Sequence, residues 1–242
     1  MRMRMIAAVA VDPQRVLMQH CLVAVSYPDH DWCSPMDPSN DAHVERLTME
    51  RMVLFTDAVF AIVITLMAID IRLPAAHPLG GWTEVALEHA LAELLPKILA
   101  YFISFAVIGL IWTGHLRKYG HVRSIDGLVL WLNLAQMLFI GLLPFFTSLL
   151  AEALSRLAIM IYAGNLVAAG MAGLLAWRRV SASPMMAAPS LTPELRRRES
   201  RITLAMVLVF ALSMGISIWV PVWGMISWVL TWPALVIARR LP

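Results

Sequence analysis

Residues 50–74 read ERMVLFTDAVFAIVITLMAIDIRLP, and their pattern decides the fold. Met52 to Ile69 is almost wholly apolar, long enough at about 1.5 Å per residue to cross most of a bilayer. A surface helix of a soluble protein alternates polar and apolar faces, and this one does not. Its single ionisable group is Asp57, with Glu50 and Arg51 just before the run and Asp70 and Arg72 just after it. A charge inside hydrocarbon costs a few kcal/mol, about 2.5–3.5 on insertion scales, so Asp57 must face protein or water and find a partner there.

The composition outside this stretch agrees. The chain has 242 residues, 60% of them hydrophobic and 14% charged, against roughly 25% charged in soluble domains. The net charge of +3 does not indicate nucleic acid, because the basic residues lie in loops between apolar spans. Six apolar spans are predicted, at about 50–71, 94–116, 125–150, 156–177, 202–220 and 222–238. The expected architecture is an all-α membrane protein with six transmembrane helices. Residues around 74–88, rich in Pro and Gly, join the first two spans, with a short helix expected from Thr83. A polar linker over 178–201 joins the fourth and fifth, and the Val220-Pro221 turn joins the last two.

Lys and Arg near the span ends set the orientation. One side collects Arg46, Arg51, Arg117, Lys118, Arg123, Arg178, Arg179, Arg196, Arg197, Arg198, Arg201, Arg239 and Arg240. The other holds Arg72, Lys97 and Arg156. This asymmetry puts both termini in the cytoplasm, with the protein multi-pass in the cell's inner (plasma) membrane. Trp112, Trp177, Trp219, Trp223 and Trp232 suit an interfacial belt. Gly164, Ala168 and Ala172, four residues apart, offer a close-packing stripe on the fourth span.

Residues 1–43 read as a disordered N-terminal extension preceding a six-helix domain over 44–242. The opening MRMRMIAAVAV has the basic start of a signal peptide, but Asp12-Pro13 ends its apolar run too soon. His20, Cys21, Asp29, His30 and Cys33 fit no standard zinc spacing, so no metal is expected. Two cysteines build no disulfide framework. GxSxG, HExxH and phosphate-loop motifs are absent, as are paired carboxylates within a span, and no catalytic residues are expected. A TVGYG-like filter is also missing, so any ion selectivity must come from side chains.

On a helical wheel of the first span, Ala58, Ile62, Thr65, Leu66 and Ile69 share one stripe, and Asp57 lies about 140° from Ile62. If the stripe faces a pore, Asp57 points into the bundle, where Trp112, His115, Asn133 and Gln136 could bond it. Ordinary helix packing gives the same stripe, and periodicity alone favours it.

Arg51-x-x-x-Phe55-Thr56-Asp57, continuing to Leu66, resembles the RxxxFSD signature of the endosomal and lysosomal potassium channel family, the transmembrane protein 175 family, and its bacterial members. Ser104-Phe105, Gly109 to Trp112 and His115 resemble its second helix, and Trp131-Leu132-Asn133 with Leu143-Pro144-Phe145 its third. Thr56 stands where Ser is usual, and Leu116 where a second His is often found.

The resemblance implies a homotetramer in which the first helix of each subunit lines a central pore. It assigns Ile62, Leu66 and Ile69 to a hydrophobic constriction, and Thr65 to potassium preference. It assigns Arg51, Phe55, Thr56, Asp57, Trp112, His115 and Asn133 to a polar packing network, with Asp57 tied to His115 or Asn133. The implied activity is passive potassium conduction without a cofactor, the partners being lipid, potassium ions and further copies of the chain. Two alternatives stand beside it: a proton-coupled transporter using Asp57, and a non-conducting membrane packing protein.

Overall fold

The computed structural model describes residues 38–73 and 82–240, without the side chains of 38–43, 45, 232, 239 and 240. The N-terminal metal-ligand candidates, most of the 1–43 extension, the Pro74 to Gly81 connection and the Trp232 side chain lie outside the described residues. The helices are α1 (Pro38–Ile69), α2 (Glu84–Tyr119), α3 (Gly127–Gly141), α4 (Leu143–Glu152), α5 (Arg156–Ala182), α6 (Pro193–Ser217), α7 (Pro221–Ile226), a 3-10 turn (Ser227–Leu230) and α8 (Thr231–Arg240). Among the described residues, six helical stretches are long and apolar enough to cross a membrane: Arg46–Ile69, Glu84–Tyr119, Gly127–Glu152, Arg156–Ala182, Pro193–Ser217 and Pro221–Ala238. The protein is an all-α membrane protein with six transmembrane helices.

The span count matches expectation, but several boundaries move. The short helix expected from Thr83 is the first part of α2, which runs on through Pro96 for 36 residues, about 54 Å. Thr83 caps it by accepting the Ala86 amide at 3.3 Å. Neighbouring helices let a proline persist inside a membrane helix. The third span is two helices, α3 and α4, because Pro144 removes an amide and restarts the chain one residue after Leu142. The sixth is likewise segmented.

The polar linker contracts most. Arg178 and Arg179 belong to α5, and Arg196, Arg197, Arg198 and Arg201 to α6, leaving residues 183–192 as connection. Thr192 accepts the Leu195 amide at 3.2 Å and Pro193 occupies the first turn, a strong start signal that the surrounding charges masked.

Helix α5 is the hub, packed against α3, α4 and α6. Ile159, Tyr162, Ala163, Leu166 and Ala169 are buried at its centre, and the Tyr162 ring stacks on Trp228 with centroids 4.9 Å apart. The glycines that permit close approach are displaced from the expected stripe. A Cβ on Gly170 would lie 2.6 Å from Cγ2 of Val207 on α6, and one on Gly173 would lie 2.7 Å from Nε2 of Gln136 on α3. Gly164 meets Met214 at an ordinary 3.6 Å.

Candidate functional site

Helix α1 has two faces of opposite fate. Met52, Thr56, Phe60, Val63 and Met67, spaced three or four apart, are buried to 4% exposure or less. On the opposite side Ile62, Leu66 and Ile69 are 56%, 45% and 48% exposed. Thr65 and Ala58 share this open face. The stripe drawn from the sequence is therefore the surface that α1 leaves uncovered within the subunit.

The back face is tied to the bundle by polar bonds at two levels. Near the start of the span, Thr56 is fully buried; its hydroxyl donates to the Met52 carbonyl at 2.8 Å and accepts Nδ2 of Asn133 at 2.9 Å. One residue on, Asp57 Oδ1 accepts the Trp112 indole N–H at 2.9 Å. Deeper in the bundle, Ser104 shares hydroxyl bonds with Thr147 at 2.8 Å and with Tyr162 at 2.9 Å. Thr147 also donates to Sδ of Met67 at 3.6 Å. Four helices thus meet at one buried knot, satisfying polar groups that lipid could not.

These bonds correct one expectation. Asp57 bonds neither His115 nor Asn133: Trp112 takes the carboxylate, and Asn133 serves the Thr56 hydroxyl. The wheel explains this, since Asp57 sits on the flank of α1, half-buried, whereas Thr56 points straight back. His115 is 4% exposed and lies against Phe60 (6.2 Å between centroids) and Tyr119 (4.1 Å), with Nε2 buried and lacking a partner among the described residues. Arg51 and Phe55 are exposed. Gln136 is buried on α3 beside Gly173, away from Asp57.

A second cluster escaped the sequence. Arg117 Nε donates to the almost fully buried Glu199 at 3.2 Å, and Lys118 Nζ donates to Thr203 at 2.6 Å. Both bonds join α2 to α6. In the sequence Arg117 and Lys118 read as cations that orient the chain, and Glu199 stands among arginines in RRRES. Its hidden signal was spacing: Glu199 and Thr203 are i, i+4 on one helix face. The cluster lines a cavity of about 40 Å³ with His115 and Gln136, room for a water molecule. Trp177, near the end of α5, faces protein. It is buried, and its indole donates to the Arg196 carbonyl at 3.3 Å, joining the end of α5 to the start of α6.

Among the described residues, three or more His, Cys, Asp or Glu never gather in a group able to hold a metal ion.

Comparison with known proteins places these features. The family model described as endosomal/lysosomal potassium channel TMEM175 matches residues 51–144, from the start of the α1 span into α4. A protein from Streptomyces collinus named a potassium channel is 36% identical over 132 residues, covering 52% of this chain and 62% of its own. One from Chamaesiphon minutus, also named a potassium channel, is 32% identical over 142 residues, covering 57% of this chain and 68% of that protein. The Gallus gallus protein named endosomal/lysosomal proton channel TMEM175 is 39% identical over 111 residues, which is 22% of its length. The chain thus spans less than two thirds of the Streptomyces relative, and 48% of a similarly named one from a Chryseobacterium species. The crystal structure of a Chamaesiphon minutus TMEM175 homologue superposes with a TM-score of 0.66 at 23% identity, over 79% of this chain and 98% of that one, which establishes a shared fold. With the signature helix, its polar ties and a bacterial relative matched over two thirds of its length, the chain belongs to the TMEM175 channel family.

Proposed function

We propose that this protein is a potassium-permeable channel in which four copies surround a pore lined by α1. The observation that carries this reading is the open face of α1. Ile62, Leu66 and Ile69 form an apolar row that the subunit leaves bare, on a helix whose other face is locked by hydrogen bonds. Fourfold repetition of that row around an axis makes stacked apolar rings, which gate by dewetting.

Thr65 would supply the polar layer between those rings. Its hydroxyl donates to the Ile62 carbonyl at 2.8 Å. The proton is therefore engaged with the helix, while lone pairs on the oxygen remain free to meet a cation. Four such oxygens could replace part of the hydration shell of a weakly hydrated ion. The names of the bacterial relatives agree with potassium as that ion.

In this reading the protein is not an enzyme, needs no cofactor and carries potassium only as the permeant species. Residues 44–242 form the channel domain and 1–43 an extension. Both termini are cytoplasmic in the plasma membrane, with the basic ends of α2, α5 and α6 on the inner side.

The test is flux from liposomes carrying a potassium gradient at equal pH inside and out. Passive flux favouring potassium over sodium, with the preference reduced by Thr65→Ala, is the expected result. Flux that needs a proton gradient would instead make Asp57 a coupling site. An absence of flux from folded protein would leave a packing role.

A further inference from the structure

We propose that the cytoplasmic ends of α5 and α6 form a binding groove for the phosphate headgroup of an anionic phospholipid, with Arg196 and Arg197 as its principal contacts. The groove has a volume of about 440 Å³ and is walled by Ser181 at the end of α5, Leu191 in the connection, and Pro193, Arg196 and Arg197 on α6. That volume is within the range of small-molecule sites, about 300–1,000 Å³.

Topology alone asks for positive charge here but not for a shaped cavity. The wall is preformed. Residues 183–192 are pinned to the α2–α3 connection by a β-bridge between Val122 and Ala187. The Arg123 amide bonds the Met186 carbonyl at 2.7 Å, and the Ala188 amide bonds the His121 carbonyl at 3.0 Å. The Trp177 indole holds the Arg196 carbonyl, so the first turns of α6 are fixed to α5.

The charges are available. Arg178, Arg196, Arg197 and Arg198 are exposed and form no salt bridge among the described residues, whereas Arg179 pairs with Asp126 and Arg117 with Glu199. Glu194 is the acidic side chain in the first turn of α6, and the arginines outnumber it. Pro193 has no amide and the Leu195 amide is held by the Thr192 cap, so guanidinium groups supply the principal contacts.

The surroundings favour a lipid over free phosphate. Arg197 is in line with the exposed Leu204 and Leu208 of α6, seven and eleven residues on. Arg178 is in line with the exposed Leu175 and Met171 of α5. Each stripe is cationic at the membrane surface and apolar beneath it, the order in which a phospholipid presents its headgroup and acyl chains.

The experiment uses full-length protein in neutral detergent and measures the thermal unfolding midpoint on titration with phosphatidylglycerol, phosphatidylcholine or inorganic phosphate. Binding is read without flux, so the result does not depend on conduction. Phosphatidylglycerol is expected to raise the midpoint, and Arg196→Gln/Arg197→Gln to weaken its apparent affinity by roughly 10- to 30-fold. Arg156→Gln, at the opposite end of α5, should leave that affinity unchanged, and Arg197→Lys should restore part of it in an Arg196→Gln background. If the double variant does not fold, the single Arg197→Gln, an exposed and unpaired position, carries the test. An equal rise with phosphatidylcholine, or undiminished affinity in the variants, overturns the proposal. So does inorganic phosphate that saturates the response and leaves phosphatidylglycerol without further effect.

Discussion

Helices α1 and α5 both qualify as membrane spans and differ in placement. Of the most apolar window of α1, 28% is buried inside the subunit; of the corresponding window of α5, 61% is. Hydropathy alone does not say which of them is buried, because lipid and a protein core accept the same side chains. What separates them is the size and polarity of the residues at each contact. Helix α5 brings Gly170 and Gly173 to its neighbours and packs on several sides. Helix α1 has no glycine and is attached along one face by Thr56, Phe60 and Met67, with Asp57 bonded from its flank. The hub is constrained on several sides, whereas the attached helix has a broad open face.

The largest expected effect lies where α2 meets α6, close to the hub. Glu199→Ala removes the buried carboxylate that the part-exposed Arg117 bonds beside Lys118, and losing a hydrogen bond of that charged kind costs about 1.5–3 kcal/mol. Unfolding of the purified protein by detergent titration should show it, with part of the loss recovered in Glu199→Ala/Arg117→Ala. An unchanged midpoint would mean that water, not the ion pair, satisfies the cluster.

Next comes α5 itself. Gly170→Ala places a methyl group 2.6 Å from Val207, and overpacking of that kind costs about 1–3 kcal/mol. The same measurement checks it, and Val207→Ala in the same protein should relieve the strain. A neutral Gly170→Ala would show that α5 and α6 can part without penalty, erasing the contrast with α1.

On the open face of α1 the effects should invert. Leu66→Ala at a 45% exposed position should change subunit stability by about 0.5 kcal/mol or less, yet raise potassium flux in liposomes by widening the proposed apolar rings. Loss of stability with unchanged flux would return Leu66 to ordinary packing.

The smallest effect is one of pH. Asp126 caps α3 by accepting the Val129 amide at 2.8 Å, and Arg179 donates to its other oxygen at 2.9 Å. The backbone bond first, and the guanidinium after it, hold this carboxyl below its ordinary value. A depressed carboxyl contributes stability above its unfolded value, near 3.9, and loses it as pH falls through the folded value. Wild type and Asp126→Ala should therefore differ at pH 6 and converge below about pH 4 in a pH series of unfolding midpoints.

Residues 50–74 by themselves determined that the chain spans a membrane, which residues share a stripe with Ile62, and which family the signature resembles. Those features are local: run length, a period of 3.6, and a short motif. The sequence also showed six spans and the positive side, because charge is excluded from hydrocarbon wherever it falls in the chain. The partners of the buried polar groups depended on three dimensions. Asp57 chose Trp112, 55 residues away, over His115 and Asn133 by its angular position on the helix flank. Arg117 and Lys118 read as topology markers, yet Lys118 is buried and Arg117 pairs with the buried Glu199, since a charge next to a span is indistinguishable in one dimension from a charge paired across two. Ser104, Thr147 and Tyr162 carry little signal singly and meet at one point once four helices are packed. Tertiary structure alone decided these matters, because a buried polar group is defined by the neighbour that satisfies it, and that neighbour is set by helix packing.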